Sequence, residues 1–420
     1  MSSIESAQVP LRVQCAVYGV GMFSTTMHFM AMTIVPLWVV QLELSPFILG
    51  IVLGCRPVLP LLYSIHTGVL MDRIGAKRVL MFFAILGLIT PLLYPTMPFV
   101  WAIIVFQLMW GIADSMGWLG AQILVGQLMQ GRAIYAGRLS FISRVGNIVG
   151  PLLVGAAWDI AGPSAAFGVA SAWGMGAVIS VLMLPALTRQ DSAQSSGAGD
   201  VVDPSEPKKS VFRILVPNLS DYTSAFRLLA IPTVAITAAI GMMVHMGNNI
   251  QGTFYVVWLN QMGISGTLIG ALIAISSFSA SLGSLLAAPL ARFFRPYWLL
   301  WSVVFVALIL IAITPLFGSF VVLAVVLSLR TALNGVHQPL VISLMLKSAG
   351  TESHGKVMGL RATANRVTSV GAPIMMGAVA EFIGIEQSFY LMGAIAVLAM
   401  VMVAWTMTRH PEIHTSGRDI

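Results

Sequence analysis

The stretch Gly68-Val-Leu-Met-Asp-Arg-Ile-Gly-Ala-Lys-Arg78 is a short charged segment between two long apolar runs. It carries the densest cluster of charge before residue 180. A short turn rich in Arg and Lys between two such runs is typical of the place where two membrane helices meet the cytosol. We therefore expect this stretch to join two transmembrane helices on the cytosolic side.

The composition extends this expectation to the whole chain. Of 420 residues, 58% are hydrophobic and 9% are charged, whereas a soluble domain carries about 25% charged residues, which argues against a soluble enzyme. A membrane β-barrel would show alternating segments of about ten residues. The apolar runs here last about 20 residues, which is the length that a transmembrane helix needs. The sequence therefore predicts an all-α membrane protein.

Twelve apolar spans follow one another along the chain, most of them long enough to cross a hydrocarbon core of about 30 Å. We expect a first six-helix half over residues 1–187, a cytosolic linker over 188–227 and a second six-helix half over 228–420. The linker begins with a polar stretch containing Gly, Ser and Pro, and its later part has the scattered apolar residues of an amphipathic helix. The twelve spans are 13–41, 47–71, 79–96, 99–127, 138–160, 165–187, 230–259, 267–290, 297–316, 320–346, 358–382 and 388–407.

Lys and Arg residues lie on one side of this arrangement. Cytosolic loops of membrane proteins carry an excess of Lys and Arg, and 18 of the 22 here fall on one side, with none in the six short loops of the other. We therefore expect a multi-pass protein of the inner (plasma) membrane with both termini in the cytosol, and the net charge of +7 does not indicate a nucleic-acid partner. The eighteen are Arg12, Arg73, Lys77, Arg78, Arg132, Arg138, Arg189, Lys208, Lys209, Arg213, Arg227, Arg292, Arg295, Lys347, Lys356, Arg361, Arg409 and Arg418.

The two halves repeat one another in sequence. Six plus six duplicated spans are an architecture of secondary transporters. Gly21, Trp38, Gln41, Ser45 and Gly50 recur as Gly241, Trp258, Gln261, Ser265 and Gly270, at an offset of 220. Arg144, Pro151, Gly155, Asp159 and Gly162 recur as Arg366, Pro373, Gly377, Glu381 and Gly384, at an offset of 222.

The quoted stretch resembles the signature loop of the major facilitator superfamily. The residues that match it are Gly68, Leu70, Asp72, Arg73, Gly75, Lys77 and Arg78. A second stretch resembles the antiporter motif of the exporter branches, with Val154 in place of a glycine; it contains Gly137, Gly146, Gly150, Pro151 and Gly155. The resemblance covers the full chain and implies a bundle of twelve helices in two pseudo-symmetric halves that works by alternating access.

The resemblance also implies a gating role for the signature loop. In the family, the acid at the position of Asp72 contacts the positive N-terminal end of a helix in the other half, and so holds one conformation shut. The alternative is an ordinary positive-inside turn. The second half has Arg292 at the place of Asp72, so the predicted latch is one-sided. The gating residues predicted from this loop are Gly68, Asp72, Arg73, Gly75 and Arg78.

The fifth span is predicted to contain a hinge and seal between the halves. Small residues such as Gly146 and Gly150 let two helices approach closely, and Pro151 bends the helix. Ordinary enrichment of Gly and Pro in membrane helices is the alternative. Arg144 and Arg366, at equivalent repeat positions, are predicted to serve structure or gating rather than substrate.

Two further arginines, Arg56 and Arg330, lie near the predicted midplane. A charge buried in a membrane costs at least a few kcal/mol and normally faces a cavity or a partner. One interpretation is that both bind an anionic substrate through forked hydrogen bonds. The other is structural, with the guanidinium groups bonded to backbone carbonyls, to Asp114, or to Asn147 and Asn365. Substrate contacts are also predicted for His337, about two turns from Arg330, and for a polar patch at Asn248 and Asn249.

Proton coupling has three candidates. Burial of a carboxylate favours its protonated form, which suits Asp114 to loading and releasing a proton. A nearby arginine would instead make Asp114 one partner of a plain ion pair, and the sequence leaves both open. His28 and His245 titrate in the useful range, with hydrogen-bonded helix packing as their alternative role.

The sequence thus predicts a proton-coupled secondary transporter of a small organic, anionic or amphipathic solute, with export by antiport favoured. Uptake or exchange of a carboxylate is the alternative, and a receptor or assembly scaffold is the alternative of another class. No nucleophile–base pair suggests an enzyme. The two cysteines, Cys15 and Cys55, lack metal-binding neighbours, so neither a metal nor a cofactor is expected. The expected partners are the solute, protons and the lipid bilayer, and we expect a monomer.

Overall fold

The computed structural model describes residues 9–63, 70–71, 74–130, 132–185, 228–349 and 354–409. Within these ranges all regular structure is helical, which confirms the predicted class. Gly68, Asp72 and Arg73, together with the linker 188–227, lie outside the described residues. The roles assigned to them stay predictions.

The first half of the bundle contains six helices. They are α1 (Leu11–Gln41), α2 (Pro46–Tyr63), α3 (Ala76–Thr96), α4 (Val100–Leu128), and α5 (133–161) and α6 (163–183), which together make up Ala133–Met183. α5 and α6 are separate helices because Gly162 has φ 79° and ψ −173°. Only glycine adopts a positive φ without a steric cost, so the chain can turn there within one residue.

The second half contains six more helices. α7 covers 232–261 and consists of Pro232–Ile250, a π-helical turn Gln251–Tyr255, and Val256–Gln261. The others are α8 (Gly266–Phe293), α9 (Pro296–Ala312), α10 (Phe320–Ala349), α11 (His354–Ile383) and α12 (Ile385–Arg409).

Nine helical stretches of the described chain are long and apolar enough to cross a membrane. One of them, 134–183, holds both α5 and α6, while α7 is divided by its π turn and α9 is shorter. The predicted count of twelve therefore matches the described helices.

Local sequence explains where the helices begin. Ser45 and Ser265 are N-caps whose side chains accept hydrogen bonds from the backbone N–H groups of Ile48 and Leu268, both at 3.4 Å. Such caps satisfy donors that have no partner inside the helix. Proline stands at the first position of α2, α7 and α9, where its missing N–H costs nothing.

The halves meet along two crossings, α2 against α11 and α5 against α8. A β-carbon at Gly50 would lie 2.5 Å from the carbonyl oxygen of Pro373, and one at Gly377 would lie 2.6 Å from the carbonyl oxygen of Pro46. The backbones of α2 and α11 therefore touch only because both positions are glycine.

The second crossing uses the equivalent residues of the repeat. A β-carbon at Gly270 would overlap the carbonyl oxygen of Pro151, and one at Gly155 would overlap that of Gly266. α5 and α8 are therefore in backbone contact in the same way as α2 and α11.

We call the end of the bundle near these contacts the closed face. The C-terminal ends of α5 and α11 meet the N-terminal ends of α8 and α2 there. α1 ends next to the start of α2, and α12 starts next to the end of α11. The first and last described residues therefore lie at the opposite end, which we call the terminal face.

Candidate functional site

A cavity of about 1090 Å³ lies between the halves. Its wall is formed by α1, α2, α4 and α5 of the first half and by α7, α8, α10 and α11 of the second. It extends from the residues next to the closed-face crossings, such as Leu272, to residues nearer the terminal face, such as Pro60 and Ser284. Concave sites between helices are where small molecules bind in helical bundles.

On the first-half wall, Asp114 contacts two cationic side chains. Nη2 of Arg56 donates to Oδ2 of Asp114, and Nδ1 of His28 lies 3.3 Å from the same oxygen. Nη1 of Arg56 donates to Oε1 of Gln107 at 3.2 Å, and the guanidinium lies 5.3 Å from the ring centroid of Trp110. These contacts match the ion-pair alternative that the sequence left open for Asp114. The proton-coupling role of Asp114 stays a prediction.

Backbone packing brings Arg56 to this position. A side chain at Gly111 would overlap the backbone carbonyl of Arg56, so the glycine lets α2 approach α4. α2 is also irregular at this point, since the two helical pieces Pro46–Cys55 and Val58–Tyr63 are joined at Arg56 and Pro57. Pro57 and Pro60 cannot donate helical hydrogen bonds, which explains the break.

On the second-half wall, Arg330 lies behind the cavity rather than in its lining. Its side chain is buried, and Nη2 donates to Oδ1 of Asn248 at 3.0 Å. Nδ2 of Asn334 donates to the same oxygen at 2.8 Å. Asn248 and Asn334 line the cavity whereas Arg330 does not. Arg330 therefore fixes the amide of Asn248, and direct contact between Arg330 and substrate has no support from this arrangement.

The neighbouring Asn249 links α7 to α11. Its Nδ2 donates to the backbone carbonyl of His245 at 2.6 Å and to Oγ of Ser369 at 3.2 Å. The π turn that starts at Gln251 follows directly. Single π turns inside α-helices are frequent at functional sites, and this one faces the cavity through Gln251 and Thr253.

Two histidines and an arginine form a second polar group, from three different helices. His245 on α7, His337 on α10 and Arg361 on α11 all line the cavity. The hydrogen bonds Asn334–Asn248 and Asn249–Ser369 hold α10 and α11 against the same part of α7. His337 is only 4% exposed, and its Nε2 has no hydrogen-bond partner among the described residues. Nε of Arg361 is likewise buried without a partner there.

Arg361 was counted with the cytosolic Lys and Arg, although it lies near the start of the eleventh predicted span, 358–382. The structure corrects this: α11 starts at His354, so Arg361 lies inside the helix and lines the cavity. A helical signal was present in the sequence. Arg361, Asn365 and Ser369 are spaced by four residues and so share one helix face, and all three line the cavity.

Arg144 and Arg366 also line the cavity. Nη1 of Arg144 donates to Oγ of Ser281 on α8 at 2.7 Å, which is a contact between the halves. Arg144 therefore contacts the opposite half, as a structural or gating role would require. No ion pair or hydrogen bond of Arg366 with the first half is present among the described residues.

The glycines of α5 serve two different contacts. Side chains at Gly146 and Gly150 would overlap Thr26 of α1, so these glycines pack α5 within the first half rather than against the second. The contact between the halves lies further along the helix, at Pro151 and Gly155. The predicted seal is therefore confined to the later part of the motif.

Two gating residues of the signature loop are described. Gly75 precedes α3 with φ 97°, a conformation that favours glycine, and its carbonyl accepts the backbone N–H of Arg78 at 3.2 Å. These contacts are local to the start of α3. The gating role of Gly75 and Arg78 stays a prediction.

Comparison with known proteins identifies the family. The family model described as Major Facilitator Superfamily matches residues 17–370 and 237–418. No curated protein sequence matches the chain.

Solved structures share the fold. The crystal structure of the nucleoside transporter NupG has a TM-score of 0.74 at 16% identity, covering 94% of this chain and 99% of that one. A bacterial homologue of the human lysosomal transporter Spinster, in an inward-facing and unoccupied conformation, has a TM-score of 0.70 at 15% identity, covering 96% and 99%. An auto-inhibited POT family peptide transporter has a TM-score of 0.71 at 13% identity, covering 96% and 97%.

Proposed function

The chain belongs to the major facilitator superfamily. We propose that it is a proton-coupled secondary transporter of a small organic anion or amphipathic solute. It works by alternating access in the inner (plasma) membrane, as a monomer with cytosolic termini. Export in exchange for protons is favoured, because the fifth span resembles the antiporter motif.

The charge balance of the cavity is the observation that carries this proposal. Of the five acidic residues in the described ranges, only Asp114 lines the cavity, whereas four arginines do; the five are Glu43, Asp114, Asp159, Glu381 and Glu386, and the four are Arg56, Arg144, Arg361 and Arg366. Arg56 and His28 already contact Asp114. Burying an unpaired cation in a membrane is costly, so the surplus supports an anionic solute.

The shape of the bundle supports alternating access. The halves are in backbone contact at the closed face, and the cavity extends from there towards the terminal face. Since the Lys and Arg distribution predicts that the terminal face is cytosolic, this arrangement would receive a solute from the cytosol, as an exporter requires.

The proton site proposed here is the group formed by Asp114 and His28. Their separation of 3.3 Å allows a proton to be shared, and His28 is 44% exposed on its side chain, so a proton can reach it from the cavity. Arg56 is paired with Asp114, and a proton on Asp114 would remove the charge that holds this pair together. His245 remains a second candidate.

Uptake or exchange of a carboxylate would use the same cationic cavity and is the second candidate function. The nucleosides and peptides named for two structurally similar transporters are small organic molecules, which supports a solute of this size. A receptor or assembly scaffold would have no need of a cavity with this charge.

The test begins with thermal-shift binding on the purified protein, using carboxylates, organic cations and sugars of similar size. We expect only carboxylates to raise the melting temperature. Each stabilising compound is then tested for transport in liposomes with an imposed proton gradient. Movement of cations alone would contradict the proposed solute class, and absence of any transport would favour the scaffold.

A further inference from the structure

We propose that the second half contains the subsite that holds the negatively charged group of the solute, formed by Arg361, His337 and His245. This inference rests on the proposed function, because it locates the anion within the same cavity. The solute class is an organic carboxylate, with an apolar body that faces the rest of the wall.

Arg361 differs from the other arginines of the cavity in its hydrogen-bond and ion-pair partners. Arg56 is bonded to Asp114 and Gln107, and Arg144 to Ser281. Among the described residues, neither Arg361 nor Arg366 forms an ion pair. Arg361 differs from Arg366 in that its Nε is buried without a hydrogen-bond partner there.

On the same cavity wall, His337 adds an unused donor or acceptor. His337 is 96% buried yet lines the cavity, and its Nε2 has no hydrogen-bond partner within the described ranges. A buried polar atom without a partner is costly. A carboxylate bound to Arg361 would supply that partner, since one oxygen can accept from the guanidinium and the other from Nε2–H.

The fixed amides next to this group provide the positioning. Asn248 is held by Arg330 and Asn334, and Asn249 by Ser369. Both amides line the cavity on the same helix as His245. α7 therefore presents a polar surface of fixed geometry beside the proposed subsite.

The test measures binding of benzoate, 4-phenylbutyrate and benzenesulfonate to the full-length protein by calorimetry. Arg361→Gln should weaken binding of the best of these about tenfold or more, the range expected for a charge-assisted hydrogen bond, and His337→Gln should weaken it several-fold. Arg144→Gln is the matched control, because it removes the same charge from the same cavity outside the subsite, and it should change the affinity less than threefold. Arg361→Lys, which keeps the charge, should lie between.

The outcomes separate the two proposals. If none of the anions binds the unaltered protein, the proposed anionic solute fails and the subsite with it. If they bind but Arg144→Gln weakens binding as much as Arg361→Gln, the anion is held by the overall field and the subsite is wrong. Melting temperatures of the variants without ligand show whether each is folded.

We also infer that the closed face is held by two equivalent contacts between the halves. In each contact, a carboxylate of one half binds the start of a helix of the other half. Oδ1 of Asp159 on α5 accepts the backbone N–H of Gly266 at 2.8 Å, and Oδ2 accepts that of Thr267 at 2.7 Å and its hydroxyl at 2.6 Å. Oε2 of Glu381 on α11 accepts the backbone N–H of Phe47 at 3.0 Å.

The two contacts occupy corresponding positions in the sequence repeat. Asp159 and Glu381 are separated by the offset of 222, and the N-caps Ser45 and Ser265 by the offset of 220. Each carboxylate binds the free N–H groups at the start of a helix of the other half, where the helix dipole also favours a negative charge. Glu381 binds one backbone donor instead of two because Pro46 has no N–H at the first position of α2.

Both contacts break when the halves separate at the closed face. They therefore stabilise the access state in which this face is shut. Both carboxylates are exposed, and an exposed charge at a helix N-terminus is worth a factor of about two to five in an equilibrium constant. In a variant that lacks both carboxylates, the two factors in the equilibrium constant should multiply.

The test measures the distance between nitroxide labels on Gln41→Cys and Gln261→Cys, which lie at the ends of α1 and α7 at the closed face, with Cys15 and Cys55 replaced by serine. Asp159→Asn with Glu381→Gln should increase the population with a long distance, and each single variant should give part of that shift. Glu386→Gln is the matched control, because this exposed acid lies at the same face on α12. An unchanged distance distribution in the double variant would overturn the inference, as would an equal shift in the control.

Discussion

Arg56 and Asp114 form an ion pair in the cavity wall, and Gly111 makes the pair possible because it lets α2 approach α4. The sequence indicated that both are intramembrane charges and that each could be the other's partner. It could not choose between pairing and substrate binding, since that depends on the approach of α2 to α4 at Gly111, which is a property of the packed bundle. Arg361 was missed for a related reason, because a position near the start of a span does not tell whether the side chain faces the cytosol or the cavity, and α11 directs it to the cavity.

The pair leads to a prediction about stability. Asp114→Asn leaves Arg56 buried without its counter-ion and should lower the free energy of unfolding by about 3–5 kcal/mol, the usual cost of breaking a buried ion pair from one side. Arg56→Gln should cost a similar amount. The double variant should recover part of the loss, because neither charge is then left alone. Melting temperatures of the three variants test this, and additive losses would show that the two side chains do not interact.

At the scale of elements, the repeat explains why two helix crossings look alike. Gly50 and Gly270 correspond by sequence offset, as do Gly155 and Gly377, and all four allow backbone contact at the closed face. These positions were visible in the sequence as repeated residues. Their shared role was not, because a glycine in a membrane helix can equally pack within a half, as Gly146 and Gly150 do against α1.

The crossings lead to a prediction about conformation. Gly270→Val places a side chain where the backbone carbonyl of Pro151 lies, and backbone cannot move aside as a flexible side chain can. We expect the closed face to open, which the labels at Gln41 and Gln261 would report as a longer distance. Gly168→Val is the control, because a β-carbon at Gly168 would meet nothing within 4 Å. A closed face that persists in Gly270→Val would show that the crossing is looser than the structure indicates.

At the scale of the whole molecule, the fold was the most predictable feature. Apolar runs of spanning length leave the chain few alternatives in a bilayer, since every backbone polar group must be paired within a helix or a barrel. The Lys and Arg asymmetry predicts the orientation, and the family match agrees with the signature loop. The cavity was less predictable, because its lining combines residues from eight helices. The sequence of one span does not determine how its helix is rotated against the other helices.

We propose that a solute crosses this cavity in exchange for protons. The most direct measurement is the pH inside liposomes that contain the protein and a trapped pH-sensitive dye, with valinomycin and potassium present to hold the membrane potential at zero. Addition of a transported carboxylate outside should make the lumen more alkaline, because protons leave as the anion enters, and Asp114→Asn should abolish this change. Entry of the carboxylate into liposomes with the unaltered protein at constant internal pH would contradict the account.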